Sequence, residues 1–255
     1  MWQALHIAQI DESWDEDTPV RACDMRLARN HYWDCVGELV VACDSHPDHV
    51  YHCFTDKSFF RRTIFPDYKG NRPSLKLVGH AAFKAELLTQ PTALMFHEIE
   101  ADDTISIMAD RFRQQGQPYV VCSGDKDMRQ VPGKHYWPWH KTEAERMVTV
   151  TDEQAERTFW AQALAGDPGD NVPGCPKVGK VLSARWAADI DLDDPCQIWR
   201  EVVNAYRRHL RQAHRDDENP GELALLTARL VRLLKDGDYD PGTGTVTLWQ
   251  PPTTL

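Results

Sequence analysis

Seven carboxylates fall in three tight groups along this chain, and each group stands where a strand or loop should hand over to a helix. They are Glu100, Asp102 and Asp103 in EIEADD, Asp125 and Asp127 in SGDKD, and Asp167 and Asp170 in AGDPGDN. Like charges gathered on one fold repel, and at about 4 Å with an effective dielectric near 20 each pair costs about 4 kcal/mol. A fold that collects seven of them is expected to hold divalent metal there. Oxygen-only ligands suit Mg²⁺ or Mn²⁺ better than zinc. A plainer reading stands beside this one for each group alone. Glu100 and Asp103 share a face once a helix starts, and an acid at Asp102 favours the helix dipole, so these residues can simply decorate a helix N-terminus. Asp125 and Asp127 straddle Lys126 just past a buried strand, where a solvated turn looks the same.

The chain has 255 residues, enough for one large α/β domain or a domain with a smaller appendage. A hydrophobic content of 42% makes it globular rather than disordered. No run is long and apolar enough to span a bilayer, so no membrane partner is expected. The opening MWQALHIAQIDESWDED lacks the basic and apolar regions of a signal peptide. Seven cysteines without a CxxC fit a reduced cytosol, and a cytoplasmic location is expected. The net charge of −10 argues at face value against a nucleic-acid partner. Its distribution argues otherwise. From Lys57 to Lys84, the basic residues Lys57, Arg61, Arg62, Lys69, Arg72, Lys76 and Lys84 meet a single acid, Asp67, and Cys175 to Arg185 carries Lys177, Lys180 and Arg185 with no acid. A chain polarised in this way can bind phosphate on one face and metal in a cleft beside it.

Residues Asp11 to Asp17 read as an exposed acidic loop, and Val20 to Val41 as a helix. Val50 to Phe54 has the content of a short buried strand, with Asp56 just beyond it. Ser74 to Leu88 reads as a helix with Ser74 as its cap. Ala93 to Phe96 and Pro118 to Ser123 read as strands, and Asp102 to Gln115 as a helix ended at Gly116. Alternating strands and helices imply a mostly parallel sheet, whose ligands lie at the carboxyl ends of its strands. Beyond Val150 the pattern turns helical, over Asp152 to Leu164, Gly179 to Ala188, Pro195 to Arg211 and Gly221 to Leu234, with a closing strand at Val246 to Trp249. The boundary is placed near Thr151, giving a sheet-rich core over 1–150 and a helical part over 151–255.

The most specific stretch is AGDPGDNVPGCPKVGK. Asp167 precedes a Pro168-Gly169 turn and Asp170 returns three residues later. Gly174 and Gly179, with Lys177 and Lys180, then open a helix whose N-terminus can take an anion. An ordinary Gly/Pro loop is the alternative. His46, His49, His52, Cys43 and Cys53 suggest zinc only weakly, because Pro47 breaks any helix that would align the histidines and a strand sends His52 and Cys53 to opposite faces. Trp137 and Trp139 in HYWPWH can stack on bases or pack at an edge. Arg207, Arg208, Arg211 and Arg215 extend a nucleic-acid track or form a solvated face.

The segments FTDKSFFRRTIFPDYKGNR, EIEADD, VVCSGDKDMRQVPG and LAGDPGDNVPGCPKVGK resemble, in order and spacing, the motifs of the flap endonuclease/5′–3′ exonuclease superfamily. The match runs from about Ile10 to the C-terminus. Within the superfamily, IDESWDED, the long helix after it and the closing DYDPGTGTVTLWQP look most like the replication exonucleases of T-seven-like phages. The resemblance implies a central, mostly parallel sheet flanked by helices (a PIN-like or resolvase-like core) with a C-terminal helix–three-turn–helix part that grips duplex DNA. It implies metal ligands at Asp56, Glu100, Asp102, Asp103, Asp125, Asp127, Asp167 and Asp170, and two Mg²⁺ or Mn²⁺ ions working by a two-metal scheme. Lys69 and Arg72 match basic residues beside the scissile phosphate, and Tyr68 an aromatic that stacks on a base. Arg61 and Arg62, with Gly174, Lys177, Gly179 and Lys180 in the Asn171 to Ala184 motif, are the implied DNA contacts, with K⁺ held by loop carbonyls. The implied activity is a 5′–3′ exodeoxyribonuclease on DNA ends, 5′ flaps or RNA–DNA hybrids, serving primer removal and DNA degradation alongside phage replication proteins.

One departure is that the family's first strand, which ends in an aspartate ligand, has no counterpart here. Trp2-Gln3-Ala4 lines up just after it, and Asp11 falls too late. The expectation is that the chain starts downstream of that strand and that upstream in-frame DNA encodes it, the alternative being loss of the strand and its ligand. Two other functions stay beside the nuclease. A PIN-type ribonuclease shares the sheet but lacks a duplex-gripping motif, and a non-catalytic, structure-specific DNA-binding protein rests on the missing aspartate.

Overall fold

The computed structural model describes residues 1–15, 18–72, 77–138, 142 and 146–252. Their packing forms two compact units, one of Met1–Phe54 with Pro73–Met95 and the other of Thr55–Arg72 with Phe96–Leu255. No helix among the described residues is long and apolar enough to cross a membrane.

In the first unit, helix α1 (Trp2–Ile7) leads into an antiparallel hairpin of β1 (Gln9–Asp15) and β2 (Thr18–Cys23). The acidic stretch is therefore a strand through Asp15, not a loop. Asp11 lies opposite Arg21 in the register and accepts its Nε–H at 3.1 Å, so the partner strand supplies the charge that the run lacks. Glu16 and Asp17 lie outside the described residues. Helix α2 (Met25–Ala42) starts five residues later than its periodicity suggests. Residues 20–23 are taken by β2, and the Asp24 carboxylate caps the backbone N–H groups of Arg26 and Leu27. Strand β3 (His52–Cys53) runs parallel to β4 (Ala93–Leu94). Helix α4 (His80–Leu87) begins after Gly79, whose φ of +82° suits glycine; the expected cap, Ser74, and Lys76 lie outside the described residues. Ala4, Leu5, Ala28, Phe54, Phe83 and Leu87 form the core of this unit.

The second unit carries α3 (Phe60–Ile64), α5 (Ala101–Gln114) and the strands β5 (Val120–Cys122), β6 (Gly133–Tyr136) and β7 (Met147–Val150). Strand β6 pairs parallel to β5 and antiparallel to β7. Helices α6 (Asp152–Ala165), α7 (Lys180–Asp189), α8 (Pro195–Gln212) and α9 (Pro220–Val231) follow, then a hairpin of β8 (Tyr239–Asp240) and β9 (Thr245–Val246). The expected single, mostly parallel sheet is thus mixed and divided. The pairings of β3 with β4 and of β5 with β6 are parallel as expected, but the described strands are only two to four residues long outside the first hairpin.

The helical elements match their sequence periodicity closely. Thr151 and Gln154 bond reciprocally at the start of α6, at 3.1 and 2.9 Å, which is a capping box. On α8, Ile198, Val202, Tyr206 and Leu210 repeat every four residues and are buried, each contributing about 2 kcal/mol. Arg207, Arg208 and Arg211 stay on the exposed side of the same helix. The main core joins Phe159, Trp160, Ala163 and Leu164 of α6 to Val202 and Tyr206 of α8 and to Ala224 and Ala228 of α9. Trp137 is stacked under Arg129, whose guanidinium carbon lies 4.6 Å from the ring centre, while Trp139 lies outside the described residues.

A candidate metal centre in the second unit

The loop after α6 doubles back on itself. Asp167 and Val172 exchange backbone hydrogen bonds at 3.1 and 2.8 Å, and Cys175 N–H reaches the Leu164 carbonyl at 2.9 Å. Between them Pro168–Asp170 makes one 3-10 turn, with the Asp167 carboxylate accepting Gly169 N–H at 3.0 Å. This hairpin-like return presents Asp167 and Asp170 side by side. It requires close backbone contact. A Cβ on Gly174 would lie 2.0 Å from the Ala165 carbonyl oxygen, so Gly174 serves packing rather than the approach of a phosphate. Gly174→Ala is expected to cost at least the upper end of the ~1–3 kcal/mol range for overpacking, read as a lowered urea midpoint. A midpoint matching that of the unsubstituted chain would show that the return is looser than described.

The basic segment 67–72 is bound to this loop by a two-way clasp. Asn71 Nδ2 donates to the Pro168 carbonyl at 2.9 Å and Asn171 Nδ2 to the Asp67 carbonyl at 2.8 Å. Lys69 N–H donates to the Asp170 carbonyl at 2.8 Å, with Lys69 itself in the left-handed region at φ +57°. Its ammonium pairs with Glu100 and lies 3.5 Å from Asp170, and Arg72 pairs with the other Asp170 oxygen. Tyr68 is buried beneath, its hydroxyl 3.0 Å from a Glu100 oxygen and 3.1 Å from an Asp170 oxygen, so its one proton is shared between the two carboxylates. Burial and these carboxylates push the phenol far up, so it stays a neutral donor. Its ring packs into the core against Phe59 and is only 4% exposed.

Arg61 and Asp103 are buried together. Arg61 is only 2% exposed and Asp103 is fully buried. The guanidinium grips Asp103 through two bonds of 2.5 and 2.8 Å and Glu100 through one of 3.1 Å. It also donates to the carbonyls of Leu230 at 2.8 Å and Arg232 at 2.6 Å, at the end of α9. Asp103 further accepts Leu234 N–H at 3.2 Å. Arg61 is a core residue rather than a DNA contact, and the Asp103 oxygens are already engaged.

The remaining carboxylates converge. Asp127, Asp167 and Asp170 each offer an oxygen within 4.8 Å of the others. Lys126 bridges two of them, at 3.0 Å from Asp127 and 2.6 Å from Asp167. Gln162 of α6 donates to Asp127 at 2.6 Å. Burial works to raise the Asp167 carboxyl, but Lys126 and Gly169 N–H outweigh it and hold it below the usual range. At Asp127 burial wins over Lys126 and the group is pushed up. Asp102, with no hydrogen-bonded partner among the described residues, is pushed up to about 7, chiefly by burial and then by Asp125, Glu100 and Asp103. A narrow cleft of about 20 Å³ lies between Glu100, Asp102, Asp127, Gln162, Asp167 and Asp170, with room for one water-sized body.

The structure thus brings together Glu100, Asp102, Asp127, Asp167, Asp170, Lys69 and Arg72. Asp125, an exposed N-cap that accepts Asp127 N–H at 2.8 Å, stands next to Asp102 in charge terms. Asp56 lies beside Ile99 through its backbone, but its carboxylate turns to His97 at 3.0 Å and to the N–H groups of Glu98 and Lys57. Those bonds hold it below the usual range against the effect of burial. Arg62 is exposed and stacks on Phe59 at 4.9 Å. Lys177 donates to the Gln212 carbonyl at 3.3 Å, while Lys180, next to the Gly179 cap of α7, acts on Asp167 through charge alone. Two further members of the site, Lys126 and Gln162, do not stand out in the sequence. Lys126 carries a faint signal, a cation set between two acids. Gln162 carries none.

The seven grouped carboxylates are paired, among the described residues, with only four basic side chains: Arg61, Lys69, Arg72 and Lys126. Negative charge remains in excess, concentrated at oxygen donors that line the cleft. Such a donor set fits a hard divalent cation.

Residues 35–159 match the family model described as 5′-3′ exonuclease, N-terminal resolvase-like domain. A 5′-3′ exonuclease of Buchnera aphidicola is 31% identical over 201 residues, covering 73% of this chain and 68% of that protein. The exonuclease of Escherichia phage T7 is 29% identical over 182 residues, covering 68% of this chain and 59% of that protein. A DNA polymerase I of Mycobacterium leprae is 28% identical over 191 residues; the match takes in 68% of this chain but spans only about a fifth of the polymerase, 21%. In fold, the chain is similar to a structure described as divalent metal ions (zinc) bound to T5 5′-exonuclease, with a TM-score of 0.56, 17% identity and 80% of each chain covered. It is similar likewise to a T5 flap endonuclease described as a complex with DNA and metal ions, with a TM-score of 0.55, 18% identity and 80% of each chain covered.

Proposed function

The chain belongs to the 5′–3′ exonuclease family, and on that premise we propose that it is a divalent-metal-dependent nuclease that hydrolyses DNA from 5′ ends. The observation that carries the reading is the meeting of Asp127, Asp167 and Asp170 within 4.8 Å, beside Asp102, a half-buried carboxylate with no ion pair of its own among the described residues. Asp127, Asp167 and Asp170 would hold one ion, and Glu100, Asp102 and Asp125 a second. Mg²⁺ or Mn²⁺ bound there supplies Lewis-acid polarisation of the phosphate and a more acidic water.

The chain's own residues do the rest. Lys69 and Arg72, held at Asp170 by the clasp, offset charge that grows on the phosphate in the transition state. Tyr68 and Arg61 fix the orientation of Glu100 from below. Arg62, Lys180 and the 171–184 stretch, with the exposed arginines of α8, would track the phosphate backbone. K⁺ bound by the carbonyls of that stretch belongs to the same proposal. So does the division near Thr151, with the nuclease core in 1–150 and the duplex grip in 151–255, the second part lending Asp167 and Asp170 to the metal centre. The products would be a 5′-phosphate and a 3′-hydroxyl. The substrates would be DNA ends, 5′ flaps and the RNA of RNA–DNA hybrids. A place in phage replication, in the host cytoplasm, suits the resemblance to the T7 enzyme.

The test is release of nucleotides from a 5′-labelled duplex. Labelled short products are expected with Mg²⁺ or Mn²⁺ and none with chelator. Binding of the duplex without any release in either metal would favour a non-catalytic DNA-binding protein instead. Lys69→Ala is expected to slow cleavage on the order of 10²- to 10³-fold, as for loss of one preorganised charge donor. Duplex affinity, read by fluorescence anisotropy in Ca²⁺, should change far less. Equal losses in both would reduce Lys69 to a positioning contact.

A further inference from the structure

Lys126 is the basic group that bridges two of the three converging carboxylates, and it is also free to leave. Its ammonium lies 3.0 Å from Asp127 and 2.6 Å from Asp167, while its side chain is 51% exposed. Lys69, by comparison, is 14% exposed and held through its own backbone. Arg61 is wholly enclosed, and Arg72 touches one carboxylate only. The backbone beneath Lys126 is fixed. Residues 126–130 form a 3-10 helix capped by Asp125, with Met128 fully buried. The head of Lys126 can therefore swing into solvent while Asp127 stays where it is. A divalent cation takes carboxylate oxygens at about 2.0–2.6 Å, so it and an ammonium cannot both lie between Asp127 and Asp167.

We propose that Lys126 is a resident, exchangeable counter-ion: its ammonium holds Asp127 and Asp167 together in the metal-free protein and is expelled when a divalent cation takes those oxygens. This rests on the reading of the carboxylates as a metal centre. In the metal-free state Lys126 offsets the repulsion between the two acids and keeps the turn and the return loop assembled. The same contact competes with metal, so the protein trades affinity for a site that is already built. Once expelled, the ammonium stands at the mouth of the cleft and no longer spans it.

The experiment is a Mn²⁺ titration of the full chain, with free Mn²⁺ read by electron paramagnetic resonance, for the unsubstituted protein and for Lys126→Met. The variant should bind Mn²⁺ about five- to tenfold more tightly, the change that two half-exposed ion pairs are worth. It should also melt at a lower temperature without metal and gain more from saturating Mn²⁺. Equal or weaker affinity in the variant overturns the proposal. A second measurement needs no variant: labelling of the unsubstituted chain with an amine-reactive ester, followed by peptide mass spectrometry. Lys126 should label slowly without metal and faster in Mg²⁺, and unchanged or slower labelling also overturns the proposal. An unsubstituted chain that binds no Mn²⁺ at all would instead remove the metal centre itself, and this inference with it.

Discussion

Arg61→Ala is expected to cost about 3–5 kcal/mol of folding stability, the range for breaking a buried ion pair by removing one partner. The reason is what the guanidinium leaves behind. Asp103, fully buried, loses both of its charged bonds, and Glu100 loses one. The carbonyls of Leu230 and Arg232 are orphaned at the end of α9. Lysine is a poor substitute, since a single ammonium cannot serve acceptors spread around a planar fork. Urea denaturation of the two proteins measures the loss. A paired replacement, Arg61→Met with Asp103→Leu, removes both charges and should recover most of the stability. A single Arg61→Ala variant within about 0.5 kcal/mol of the parent would place this residue among ordinary surface positions and contradict the network.

On the proposed reading of Asp102 as a metal ligand, Asp102→Asn is expected to lower the cleavage rate on the order of 10³-fold, because several kcal/mol of charge stabilisation would depend on an ionised ligand there. The same substitution makes a second, independent prediction about pH. Folding raises this carboxyl from its ordinary value near 4 to about 7, so the folded, metal-free protein holds its proton more tightly than the unfolded chain does. The stability from that proton is fully present below about pH 4 and is lost as pH rises to about 7. Asparagine does not titrate. The stability of Asp102→Asn relative to the parent, without metal, should therefore increase between about pH 4 and 7 and then level off. Metal needs the ionised form, so the parent's Mg²⁺ affinity should fall as pH drops below about 7. Denaturation curves across this range test the first, and Mg²⁺ titrations at each pH test the second. A relative stability that stays flat from about pH 4 to 8 would mean that Asp102 is solvated like any surface acid.

The contrast between Asp102 and Asp103 shows what can be read from residue order. Adjacent acids in EIEADD are equivalent as letters, and both fit a helix start. Their fates diverge because α5 turns one toward the cleft and the other toward Arg61, about forty positions earlier in the chain, a choice made by packing against the end of α9. Arg61 itself sits in the most basic stretch, which makes an exposed phosphate contact the natural reading. Nothing local reveals that acceptors from distant segments enclose it. Tyr68 follows the same logic, since the aromatic that opens YKGNR serves a ligand or a core equally well. Where interactions are local, residue order is a good guide. The helices of the second unit begin and end within a few residues of their expected limits, because caps and four-residue apolar spacing are written in neighbouring letters. The first hairpin escapes such reading for the opposite reason. An acidic run becomes a strand only when a partner strand brings Arg21 across from Asp11.

The two-way clasp, in which Asn71 bonds the Pro168 carbonyl and Asn171 the Asp67 carbonyl, makes the basic segment and the carboxylate return a single mechanical piece. Its two halves stand a hundred residues apart in the gene, yet neither can be exchanged, lengthened or transplanted without the other. Recombination between distant relatives should therefore tolerate crossovers at many positions but penalise any that inherits Asp67 to Arg72 from one parent and Asp167 to Asn171 from the other.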